Sequence, residues 1–95
     1  MSLRYTRDAL RDIDEISTYI GEHNVVAGAA FLDAFAAVAR RLEQFPHSAQ
    51  LTEMAGVRAT PVQRFPYLIF YTVDDNDVVI HYVRHAARLR PWEQR

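Results

Sequence analysis

RFPYLIFYTVDDNDVVIHYVRHAAR, residues 64–88, holds two apolar runs joined by an acidic turn and closed by a basic tail. Residues 67–73 are β-branched, aromatic or aliphatic at nearly every position, and 78–84 read the same way up to Arg84, which suits a pleated and largely buried surface. Between them, Asp74-Asp75-Asn76-Asp77 supplies side chains that bond their own backbone in turns, with Asn76 the expected left-handed residue. The pattern is a β-hairpin. Its runs are too continuous to alternate between core and water, so the hairpin is expected at the centre of a sheet, with other elements covering most of it.

On its N-terminal side, Val57-Arg58-Ala59-Thr60 forms a strand that Pro61 limits to an edge or a short length, and Gly56 precedes it. Residues 46–55 have no period and read as a loop with room for one helical turn. Upstream, Phe31, Phe35, Val38, Leu42 and Phe45 keep a four-three spacing that predicts a helix over 25–45, stopped by Pro46. Seven alanines between positions 27 and 39 widen its apolar stripe and let a second helix approach closely, from the same chain or from a partner. Leu10, Ile13, Ile16 or Ser17, and Ile20 predict a first helix over 7–22, with Thr6 as its N-cap and Asp8 in its first turn. Residues 21–24 break the chain, Asn24 caps the second helix, and so short a connection makes the helices antiparallel. Residues 3–5 are a short first strand, and 86–95 a basic tail. The order β-α-α-β-β-β predicts a single α+β domain spanning residues 1–95, a helical hairpin packed on a small, mainly antiparallel sheet with strands at 3–5, 57–60, 67–73 and 78–84.

With 95 residues the chain suffices for one core, and a hydrophobic fraction of 49% with 3 glycines and 4 prolines excludes a low-complexity chain. The absence of cysteine excludes disulfides and cysteine-ligated zinc, and predicts a cytoplasmic protein. No apolar run approaches the ~20 residues that span a bilayer, so no membrane association is expected. Net charge is −1 but uneven: residues 1–53 carry 8 acidic and 5 basic side chains, net −3, whereas residues 54–95 carry 4 and 6, net +2. All 11 basic residues are arginine, whose planar fork suits phosphate and carboxylate. A GC-rich genome also writes arginine for lysine, so weight falls on the clustered ones.

Asp12, Asp14 and Glu15 fall on the polar side of the first helix and read as solvated surface, as do the acids of the turn. His81 and His85 share one strand face roughly 13 Å apart, too far to share a metal, so neither a metal nor any other cofactor is expected. Phosphate loops, nucleophile elbows and zinc-protease motifs are absent. What remains is the set Arg58, Arg64, Arg84, His85, Arg88 and Arg90 at strand ends and tail, interleaved with Phe65, Tyr67, Tyr82 and Trp92. Such a set can bind phosphodiester and stack bases, donate protons to a leaving alkoxide, or pair with an acidic peptide.

TRDALRDIDEISTYIGEHNVVAGAAFLDAF at 6–35, LEQFP at 42–46, GVR at 56–58, RFPYLIFYTV at 64–73 and VRHAAR at 83–88 together resemble the RelE/ParE superfamily of bacterial toxin–antitoxin toxins, also called plasmid-stabilisation proteins. The resemblance implies a protein that arrests growth when free, forms an oligomer with its cognate antitoxin, and is silenced by it. RelE-like members cleave mRNA on the ribosome without metal. ParE-like members inhibit DNA gyrase and are not enzymes. Arg64 matches the family's arginine before the central strand, and Arg84 or His85 lies where RelE-like nucleases place a last-strand Arg or His. Arg58, Arg64, Arg84 and His85 are therefore the candidates for catalysis, with His85 or His81 as the base. The chain departs from the nuclease pattern by having no lysine, and Trp92 rather than a tyrosine follows His85. The resemblance thus favours ParE-like gyrase inhibition through the helical hairpin and the sheet-end arginines. Arg58, Arg64, Arg84, His85, Arg88, Arg90 and Trp92 would contact partner or nucleic acid. The expected partner is acidic at its C-terminal end, where an amphipathic helix can enter the alanine-lined groove and a strand can add to the sheet edge.

Overall fold

Thr6 and Asn24 set the helical half of the molecule, each accepting at 3.0 Å from an amide three residues on, Ala9 and Ala27 respectively. The computed structural model describes residues 2–88 and Trp92. Its elements run β1 (Ser2–Tyr5), α1 (Arg7–His23), α2 (Val25–Gln44), β2 (Gln50–Leu51), β3 (Arg58–Pro61), β4 (Tyr67–Asp74) and β5 (Asp77–His85). One sheet is ordered β1-β5-β4-β3-β2, with β1 parallel to β5 and every other pair antiparallel. The β4–β5 hairpin does lie at its centre.

Side chains alternate across the hairpin, so Ile69, Tyr71, Val78, Ile80 and Val83 face the helices. There they meet Phe31, Phe35, Val38 and Leu42 of α2, and burying each such side chain contributes about 1.5–3 kcal/mol. Phe31 holds one end of this core, edge-on to both Phe65 and Tyr67 at 5.4 and 5.7 Å between centroids. The opposite face carries Phe70 and Val79, both buried, and Trp92 stands edge-on to Phe70 at 5.6 Å. Phe70 pairs with Tyr82 but Tyr71 with Ile80, so His81 is an extra residue, a β-bulge that re-phases the last third of β5.

Four expectations are corrected. Residues 50–51 pair with Ala59 and Arg58 and form a strand within the expected loop, giving a five-stranded sheet. Two residues show no detectable period, so their pairing is a tertiary matter. Asp75, not Asn76, takes the left-handed conformation, at φ 55°. Gly21 does not break the first helix, which runs on to His23; a Cβ on Gly28 would lie 2.9 Å from the Gly21 Cα, so the two glycines let α1 and α2 touch. The close neighbour of the alanine-rich helix is therefore α1. Leu10 and Phe45 belong to the expected periodic stripes yet are 55% and 60% exposed: the core-facing stripe of α1 runs through Ala9, Ile13, Ile16 and Ile20, and Phe45 is the non-helical C-cap that follows α2. Among the described residues no helix is long and apolar enough to cross a membrane.

Candidate functional site

The open end of the β4–β5 hairpin is basic and its turn end acidic. At the turn, Asp77 pairs with Arg4 of β1 at 3.0 Å. At the open end, Ala86 donates its amide to the Pro66 carbonyl at 2.8 Å, which ties the start of the tail to the β3–β4 connection. Arg64 sits in that connection at φ 74°, in the left-handed region. This backbone turns Val62 and Phe65 inward while Arg64 stays exposed. His85 lies opposite Tyr67, ring edge to ring at 5.3 Å, and its Nδ1 accepts from the Ala87 amide at 3.1 Å. Arg88 follows, exposed, its amide on the His85 carbonyl at 3.0 Å. Arg64, His85 and Arg88 thus share one end of the sheet, and neither arginine side chain has an ion-pair partner among the described residues.

The other sequence-derived candidates go elsewhere. Arg58 is on the helix-facing side of β3, where its Nη1 donates to the carbonyls of His47 at 3.2 Å and Ala49 at 2.7 Å. Arg84 pairs with Asp12 and lies 5.0 Å from the centroid of the Tyr82 ring. Trp92 caps Phe70 on the face away from the helices. Arg90 lies outside the described residues.

Asp12 is the residue whose role the sequence hid. β1 ends at Tyr5, so residues 81–85 of β5 have no strand on that side. Thr6 begins the closure, donating its amide to the Ile80 carbonyl and its hydroxyl to the His81 carbonyl, both at 3.0 Å. Asp12 completes it by accepting from the Val83 amide at 3.0 Å and from Arg84, and its side chain is only 14% exposed. A carboxylate on α1 therefore occupies the edge that a further strand would use. The expectation that Asp12 is solvated is corrected. The available signal was the length mismatch between the first strand expected at residues 3–5 and the last one expected at 78–84.

On the helix-free face, Met54, Val57, Thr72, His81, Tyr82 and Trp92 line a mostly apolar groove of about 280 Å³. Nε2 of His81 is 2.9 Å from the Thr72 hydroxyl, and burial pushes its pKa below the ordinary imidazole value. Burial thus favours the neutral form of a ring that is already hydrogen-bonded.

A protein-family model described as "ParE toxin of type II toxin-antitoxin system, parDE" matches residues 3–90. A curated protein of Sinorhizobium fredii, "Putative toxin Y4kP", is 30% identical over 89 residues, which cover 94% of this chain and 92% of that protein. Among solved structures, a chain of the chromosomal ParDE TA system from P. aeruginosa superposes with a TM-score of 0.80 at 22% identity, covering 90% of this chain and 95% of that one. The isolated E. coli RelE toxin superposes with a TM-score of 0.64 at 16% identity, covering 96% and 89%. These two likenesses are of fold, the helical hairpin on a sheet described above. With a match spanning all its elements and a curated relative of nearly equal length, the chain belongs to the ParE toxin family of type II toxin–antitoxin systems.

Proposed function

We propose that this protein acts as a ParE-like toxin that inhibits DNA gyrase in the cytoplasm and is neutralised by a cognate antitoxin bound to it. The match to the ParE family over residues 3–90 carries this reading. The arrangement of basic side chains supports it. Metal-free cleavage of RNA by the candidate set Arg58, Arg64, Arg84 and His85 would require those side chains to converge on one phosphate. Arg58 lies under α2 opposite Tyr71, four positions along β4 from the Tyr67 that faces His85, while Arg84 is paired with Asp12 and His85 accepts through Nδ1 from its own tail. Arg64 and Arg88 keep their guanidiniums available, which serves a contact surface better than an acid–base site.

Purified protein added to gyrase in supercoiling and DNA-cleavage assays, without ribosomes, is expected to stop supercoiling and accumulate cleaved DNA. Arg64→Gly with Arg88→Ala is expected to weaken that effect. No effect from a folded sample, with mRNA cleavage in a translating extract that His85→Ala abolishes, would replace this reading with the RelE-like one. Absence of both activities would identify a family member that has lost toxicity and persists as a binding partner.

A further inference from the structure

Three arginines of the described residues form ion pairs, Arg4, Arg11 and Arg84. Arg41 and Arg58 form none, yet they share one site under the C-terminal end of α2. Nη2 of Arg41 donates to the buried Thr60 hydroxyl at 3.3 Å, and Arg58 reaches the carbonyls of His47 and Ala49 through Nη1 alone. Between them stands Tyr71, donating its hydroxyl to the Pro46 carbonyl at 2.8 Å. Burial raises the Tyr71 pKa, and the backbone at Ala49, followed by the nearby charges of Arg58 and Arg41, opposes that rise. Each guanidinium retains its other terminal nitrogen and Nε without a partner among the described residues, so two forks with unused donors flank one place.

The surroundings select the ligand. Carbonyls of Pro46, His47 and Ala49 lie here beside the negative end of the α2 dipole and already accept from Tyr71 and Arg58, so the two guanidinium charges leave the site suited to an anion, and their planar forks match a carboxylate. Two exposed apolar residues adjoin the site in the chain and in the sheet: Phe45 is the C-cap of α2, four residues after Arg41, and Leu51 pairs directly with Arg58; they are 60% and 61% exposed. Arginine beside exposed aromatic and aliphatic surface is the composition of a protein interface rather than of a small-molecule cleft.

We infer that Arg41 and Arg58 form a carboxylate-recognition site for an Asp or Glu side chain of a protein partner, seated against Phe45 and Leu51. This rests on the antitoxin reading and deepens it by placing an acidic-apolar segment of the antitoxin at the β2–β3 edge, apart from the basic end at Arg64 and Arg88.

Calorimetry of the cognate antitoxin with wild type, Arg41→Gln, Arg58→Gln and the double variant tests it. The double variant is expected to bind ~10–100-fold more weakly, as for loss of charge-assisted contacts. Arg58→Gln frees two carbonyls and is expected to lower the melting temperature, whereas Arg41→Gln loses only the longer bond to Thr60, so Arg41→Gln, expected to melt closer to wild type and to bind several-fold more weakly, is the cleaner variant. Unchanged affinity in the folded double variant overturns the inference. Failure of the antitoxin to bind wild type sinks the antitoxin reading instead. The site is then judged by titrating ¹⁵N-labelled protein with sodium acetate against sodium chloride at matched ionic strength. Acetate-specific shifts of the Arg41 and Arg58 Nε–H signals support carboxylate recognition, and their absence overturns it. Acetate-specific shifts together with undiminished antitoxin binding by the double variant would overturn the assignment to a protein partner.

Discussion

The two faces of the sheet are finished differently. The helix side is closed by four large α2 side chains against Ile69, Tyr71, Val78, Ile80 and Val83. The other side buries Phe70 and Val79, with Trp92 capping Phe70, and leaves a groove beside His81 and Tyr82. Both faces of the hairpin are apolar, which is why its sequence reads as two unbroken runs. The difference shows that hydrophobicity along a strand reports burial without reporting what does the burying. On one face the cover is a 20-residue helix, whereas on the other an aromatic side chain from the tail stands edge-on to Phe70.

That asymmetry predicts a ranking of stabilities. Phe31→Ala, which empties the junction of Phe35, Phe65 and Tyr67, is expected to cost about 3–5 kcal/mol in urea unfolding. Asp12→Ala leaves the Val83 amide unpaired and Arg84 without its carboxylate, so about 2 kcal/mol is expected, with Asp12→Asn recovering part of it through its remaining acceptor. Trp92→Ala, removing a half-buried cap, should cost about 1–2 kcal/mol, below the range for a fully buried aromatic. Equal losses for Trp92→Ala and Phe31→Ala would show that the faces are closed alike and end the comparison.

Acid should act on the helix-free face. Because burial depresses the His81 pKa below 6.5, the folded protein binds fewer protons there than the unfolded chain. The contribution is fully present above the unfolded value and is lost as pH falls through it toward the folded one. Melting temperatures measured from pH 7.5 to 5 should therefore decline less in His81→Gln than in wild type; parallel curves would remove His81 from the account. The smallest effect is expected for Arg64→Gly, where relief of a left-handed arginine roughly offsets the added chain entropy of glycine, for a net change within about 0.5 kcal/mol. A loss well above that would mean that the Arg64 side chain supports the fold.

Much of this architecture was legible because it rests on short-range physics. Thr6 and Asn24 cap helices through amides three residues away, and the hairpin declares itself through β-branched runs about an acidic turn. The candidate site was legible only as a list. Arg58, Arg64, Arg84, His85 and Arg88 all belong to the strand ends and tail as expected, but strand phase sends Arg58 under α2, and the bulge at His81 sets the phase in which Arg84 meets Asp12. A bulge of one residue leaves no mark in a run as uniform as 78–84.

Local pattern alone therefore specified the α+β class, the helical hairpin, the central strands and the family likeness, since periodicity, capping and turn chemistry act between near neighbours. Tertiary packing assigned the work of individual side chains. Asp12 became an edge closure, Gly21 and Gly28 a helix contact, residues 50–51 a strand, and Arg41 with Arg58 a pair of guanidiniums with donors to spare. Each of these depends on groups brought together from separate elements, so burial and charge at such a position are properties of the folded neighbourhood and not of the residue type.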